Sequence, residues 1–168
     1  MGDGSEGGAA GAAAATFRYR AFISYRHADR RWGDWLHRAL ESYRVPASLA
    51  GAEGERGPVP AHLRPVFRDR EELAASPNLG EKIEQALRDS AFLVVICSPR
   101  AAASPWVNAE VLFFKRLGRE GRIFPIIVDG EPHAGDPALE CFPPALRFQL
   151  GADGALTNEP AEPLAADA

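Results

Sequence analysis

Hydrophobic residues along the chain alternate between two periods. Tyr19-Arg-Ala-Phe-Ile-Ser-Tyr25 is a short strand-like run closed by the polar residues Arg26–Asp29. From Trp32 the period lengthens. Trp32, Trp35, Leu36, Ala39, Leu40 and Tyr43 recur at intervals of three and four, forming one face of an amphipathic helix that Asp29 is placed to cap and that ends near Val45-Pro46. Residues 46–65 are rich in Gly, Pro and Ala and follow neither period, so they read as a long loop insertion. Pro65-Val-Phe67 resumes as a brief strand and runs into the charged cluster Arg68-Asp-Arg-Glu-Glu72, which by itself reads as a solvated loop.

Asn78 and Glu81 resemble a capping box for a second helix, with its stripe at Leu79, Ile83, Ala86 and Leu87. Ala91-Phe-Leu-Val-Val-Ile-Cys97 is apolar throughout, as expected of a strand buried on both faces. Ser104-Pro105 opens a third helix that closes near Leu117-Gly118. Ile123–Val128 is the fourth strand, and its Pro125 suggests a place near a sheet edge. Strands and helices therefore alternate. Right-handed crossovers turn that order into a parallel sheet of four to five strands with helices on both faces, a three-layer α/β fold whose ligand site lies at the carboxyl ends of the strands. Those ends are Tyr25-Arg26, Arg68-Asp69, Ser98-Pro99 and Asp129-Gly130.

Composition narrows the class. The 168 residues suit one domain, and 46% hydrophobic with 25% charged residues suits a globular one. Residues 1–17, rich in Gly and Ala, read as a flexible tail without a signal-peptide or myristoylation pattern, and residues 151–168 read as a loose segment. A formal charge of −4 argues against a nucleic-acid or anionic-membrane surface spanning the domain. No apolar stretch approaches the ~20 residues of a membrane-spanning helix. Two cysteines, Cys97 and Cys141, make no disulfide framework and point to the cytoplasm. Dinucleotide-fold, P-loop, hydrolase-elbow and zincin motifs are lacking, and the four histidines have no zinc spacing.

One residue breaks the pattern of the third helix. With Trp106 set to 0° and ~100° per residue, Phe113, Leu117, Phe114, Val107 and Val111 fall near 340°, 20°, 80°, 100° and 140°, and Glu110 falls near 40°, inside the apolar stripe. An inward carboxylate is either half of a structural ion pair with one of the many arginines or a working group with a tuned environment. Periodicity does not separate the two. Trp106 on this reading belongs to the core more readily than to a ligand site.

Phe22-Ile-Ser-Tyr-Arg26, Phe67-Arg-Asp-Arg-Glu-Glu-Leu73, Phe92-Leu-Val-Val-Ile-Cys-Ser-Pro99 and Ser104-Pro-Trp-Val-Asn-Ala-Glu110, in this order and spacing, resemble a Toll/interleukin-1 receptor (TIR) domain, most closely the bacterial members. The resemblance covers about residues 19–148 and places a TIR domain at 18–150. It implies a flavodoxin-like sheet, self-association through the surface around residues 68–80, and cleavage of NAD+ to nicotinamide and ADP-ribose or a cyclic form, in signalling or bacterial defence. It further implies that Glu110, four residues after Trp106, is catalytic, and that Tyr25, Arg26, Arg68, Asp69, Ser98 and Trp106 contact the substrate. NAD+ is then the substrate rather than a cofactor, with no metal. The partners are NAD+ and other TIR domains, with no nucleic acid and no membrane. A non-enzymatic TIR–TIR interaction module is the alternative. The family's last helix has no clear counterpart before Ala168.

Overall fold

The computed structural model describes residues 17–55, 57–68 and 78–168, so Asp69 and the rest of the charged loop expected after Arg68, as far as Glu72, lie outside the described residues. In chain order the elements are β1 (Tyr19–Ser24), α1 (Arg30–Ser42), β2 (Glu53–Gly54), β3 (Gly57–Pro58), β4 (Val66–Phe67), α2 (Leu79–Arg88), β5 (Ser90–Cys97), α3 (Pro99–Ala102), α4 (Pro105–Arg116), β6 (Ile123–Ile127), α5 (Pro144–Arg147), β7 (Phe148–Leu150), β8 (Leu156–Pro160) and β9 (Ala166–Asp167).

The main sheet has the order β4-β1-β5-β6-β9, and every neighbouring pair is parallel. In chain order of its strands this is 2-1-3-4-5, the flavodoxin-like arrangement. Strand β5 is central because its sequence leaves it no other place: seven of its eight residues are buried. Its odd-numbered members, Leu93, Val95 and Cys97, join Phe22, Val107, Val111 and Phe114 in one core under α2, α4 and α5. Its even-numbered members, Val94 and Ile96, join Ile23, Tyr25 and Leu36 in a second core under α1. Pro125 is tolerated because β9 pairs with β6 only at Ile126 and Ile127, which leaves one side of β6 open at the proline.

Two caps differ from the sequence reading. Neither Asn78 nor Asp29 bonds the helix it precedes through its side chain. Asp29 is buried and engaged elsewhere, as described below. Ser104, in contrast, accepts from the Val107 amide (3.4 Å) ahead of Pro105, and Gly118 takes a left-handed φ of 71° just beyond α4. The segment expected to be loose, 151–168, is tied down: β8 pairs with β7, and β9 extends the main sheet. Its few apolar residues gave no period from which to read strands. The insertion at 46–65 folds back on itself through the short β2–β3 hairpin and an Arg44–His62 bridge.

Both cysteines are fully buried. Loss of solvation, with the neighbouring thiol adding to it, pushes the Cys97 thiol up, and burial and then the Glu140 charge push Cys141 up to about 11. Each folded pKa lies above that of a free thiol, so burial stabilises the fold fully below ~8.5, and this contribution is lost as pH rises through about 11. At pH 8 the native chain should therefore resist iodoacetamide and label at both cysteines only when unfolded. The urea midpoint should fall between pH 8 and pH 10.5, and fall less in Cys141→Ala. Labelling of the native chain at the rate of a free thiol would contradict the burial.

Candidate functional site

Helix α4 carries the site because it is apolar around most of its circumference. On the ~100° wheel the buried residues Phe114, Val107, Val111 and Lys115 occupy 80–180°, whereas Leu112, Arg116, Ala109, Phe113 and Trp106 occupy the arc from 240° through 0°. That second arc faces a cleft of about 510 Å³ whose opposite wall is α2, through Leu79, Ile83 and Glu84. Glu110, near 40°, falls on the border between the two arcs. It is only 5% exposed, yet it lines the cleft.

The buried carboxylate is met from the sheet. Ser24 Oγ, itself fully buried, donates to Glu110 Oε2 at 2.5 Å. Strand alternation produces this contact: Phe22 and Ser24 point to the α4 side of β1, and Ile23 and Tyr25 point to the α1 side. Ser24 was not singled out from sequence. The available signal was its position, in step with Phe22 on a core-facing row, where a hydroxyl needs a polar partner.

The expected contact residues separate into three groups. Arg26, Trp106 and Glu110 border one cleft. Trp106, expected in the core, is 61% exposed, because the buried arc of α4 is centred some 130° away from it. Tyr25 lies on the other face of the sheet, 6% exposed, with its ring against α1 at Gly33, where a Cβ would come within 3.1 Å of it. It does not line the cleft. Arg68 pairs with Asp34 of α1 and lies outside the cleft as well. Ser98 is buried, donates to Asp29 Oδ2 at 2.6 Å and accepts from the Ala101 amide, so it too is turned away.

Ser98 belongs to a polar closure across the carboxyl ends of three strands. Arg100 donates to Asp29 Oδ1 (2.9 Å) and to Asp129 Oδ2 (3.3 Å), which ties the turn after β1 to the ends of β5 and β6. The hydrogen bond and charge of Asp29 hold the Arg100 pKa above its ordinary value. Because these strand ends are filled by one another's polar groups, the cleft is displaced from the sheet's crest to the α2–α4 side, and among the described residues only Arg26 reaches it from a strand end. A second cavity, of about 320 Å³, lies between Lys115, Phe124 and Leu164. Its buried Lys115 already bonds the Ala145 and Phe148 carbonyls and pairs with Glu120 at 2.6 Å.

Among the described residues, no group of three or more His, Cys, Asp or Glu is arranged to hold a metal ion, and no helix is long and apolar enough to cross a membrane. What the cleft offers is one shielded carboxylate, an exposed indole, apolar walls and two guanidinium groups. That set suits a ligand with an aromatic, cationic end and an anionic body.

The fold and these motifs define the class. The chain belongs to the TIR domain family, whose model matches residues 21–153. It is 38% identical over 143 residues to the NAD(+) hydrolase ApTIR of an Actinoplanes species, covering 80% of this chain and 18% of that protein, so it spans about a fifth of the relative's length. A solved structure that resembles it is that of the TIR domains in the activated Roq1 resistosome directly recognising the pathogen effector XopQ. The TM-score is 0.47 and the identity 24%, over 68% of this chain and 60% of that one.

The Asp29 closure can be tested without reference to activity. Ser98→Ala leaves the buried carboxylate short of one donor and should lower stability by ~1–3 kcal/mol, read as a shift of the urea midpoint. Ser42→Ala, at an exposed hydroxyl, should stay within ~0.5 kcal/mol.

Proposed function

We propose that this TIR domain hydrolyses NAD+ at the bond between nicotinamide and ribose, with Glu110 as the catalytic carboxylate. The observation that carries the reading is the position of Glu110: shielded from water, held by Ser24, and still on the wall of a cleft that Trp106 and Arg26 border. The likeness to an NAD(+) hydrolase supports it.

The chemistry needs little more than this. As the C1′–N bond breaks, its electron pair neutralises the pyridinium, so nicotinamide leaves uncharged and no general acid has to protonate it. This differs from ordinary glycoside hydrolysis, where a second carboxyl group protonates the leaving oxygen. Positive charge grows on the ribose instead. A carboxylate fixed in a poorly solvated wall stabilises that charge more in the transition state than in the ground state, where the cation is on the departing ring. Water then adds to C1′ and loses a proton, giving ADP-ribose; attack by an adenine nitrogen gives a cyclic form. The exposed indole of Trp106 offers a face for a pyridinium or a base.

Assembly with other TIR domains, a cytoplasmic location and a role in signalling or defence complete the proposal. The surface expected to mediate assembly, around residues 68–80, is described only at Arg68 and from Asn78 onward.

Glu110→Gln separates a catalytic from a structural carboxylate. The amide keeps the shape and an acceptor for Ser24, so the melting temperature should move little while nicotinamide release from NAD+, followed by chromatography of the products, should fall by ~10²–10³. A structural carboxylate gives the reverse: lowered stability with turnover retained by the folded fraction. Absence of nicotinamide release from concentrated, folded wild-type protein would remove the hydrolase reading and leave an interaction module.

A further inference from the structure

The cleft continues well past Glu110. From Trp106 to Arg116 it follows α4 for ten residues, ~15 Å of helix axis, and at its far end the only cation on the α4 wall is Arg116. Arg116 was not singled out from the sequence, and nothing in the proposed bond cleavage uses it.

Its setting is that of a receptor for negative charge. The Nε atom is tethered to the Gly154 carbonyl at 2.8 Å, which fixes the plane of the guanidinium and leaves its two terminal nitrogens for a ligand. Among the described residues no carboxylate lies within ion-pair distance of Arg116 or of Arg26. Glu84, the acidic group on the facing wall, is engaged by Arg88 at 3.1 Å. Between Arg116 and Glu110 the wall is apolar, with Phe113 from α4, one ring face of which carries the Arg88 guanidinium at 4.8 Å, and Ile83 from α2.

Spacing connects this end to the chemistry. Six residues, ~9 Å of axis, separate Glu110 from Arg116, and side chains on a helix lean toward its N-terminus, so the long Arg116 arm shortens the gap from its own side. In a dinucleotide the pyrophosphate is one ribose away from the scissile bond. Resting on the reading of Glu110 as the scissile-bond carboxylate, we propose that Arg116 is a substrate-binding residue for the pyrophosphate, and that Ile83 and Phe113 receive the adenosine end. The α2–α4 groove thereby selects a whole dinucleotide over a fragment bearing the same scissile bond. A planar fork with two free N–H edges matches a phosphate oxygen pair, whereas a lysine supplies only a point charge.

The test compares NAD+ with nicotinamide riboside, which has the scissile bond but neither phosphate nor adenosine. In Arg116→Ala and Arg116→Gln, kcat/KM for NAD+ should fall at least tenfold more than kcat/KM for the riboside, and Arg116→Lys should recover part of the difference. Gln can still donate to Gly154, so an equal loss in Ala and Gln assigns the effect to charge rather than to the tether. Equal losses on both substrates, or no loss on NAD+, would overturn the proposal. Calorimetric titration with ADP-ribose, which has no scissile bond, keeps this question apart from the hydrolase reading. Even if wild-type protein released no nicotinamide, at least tenfold weaker ADP-ribose binding by both variants would support the Arg116 site. Unchanged affinity, or no binding by the wild type, would sink it.

Discussion

Burial of β5 on both faces is the constraint from which the rest of the molecule follows. A strand without a polar row can lie only inside a sheet that is covered above and below, so β1 and β6 must flank it, α2 and α4 must seal one face and α1 the other. Once β1 is held beside β5 in that register, alternation sends Ser24 toward α4 and Tyr25 toward α1. The contact between Ser24 and Glu110 is therefore a consequence of how the core closes. A hydroxyl and a carboxylate, both costly to bury alone, satisfy each other at a helix–sheet junction.

The polar closure at the strand ends has the opposite character. Asp29, Ser98, Arg100 and Asp129 bond one another where a flavodoxin-like fold commonly opens its ligand crevice. Filling that crest moves the usable cavity sideways, between α2 and α4. The displacement matters chemically. A site walled by two helices has apolar sides and a long axis, and its polar groups are spaced by helical rise rather than by strand separation. Glu110 and Arg116 are set apart in this way.

The residues that the resemblance implies for the site fall in different places around the sheet. Glu110, Trp106 and Arg26 come together; Tyr25, Arg68 and Ser98 do not. The three that depart all sit at strand ends. There, one residue's shift in position reverses the face to which a side chain points, and a neighbouring charge can claim the group, as Asp34 claims Arg68 and Asp29 claims Ser98.

Much of the fold was legible from the residues alone, for physical reasons. Helices announced themselves by apolar spacing in α1 and α2 and by Ser104-Pro105 and Gly118 around α4. Strand β5 announced itself by lacking any polar position, and the inward carboxylate by breaking a stripe. What the linear pattern could not supply were relations between elements. Because α4 is apolar on more than one side, its wheel identified Glu110 as misplaced but gave a stripe from 340° to 140°, broad enough to cast Trp106 as core, whereas packing buries only the part from Glu110 onward and extends it to Lys115. Which carboxylate Ser98 would serve, which side of the sheet Tyr25 would occupy, and that the last strands would anchor at β6 and β7 all depend on partners distant in sequence, such as Ser98 with Asp29, 69 residues away. Local propensity determines what a segment can be. Only the assembled core decides what it faces.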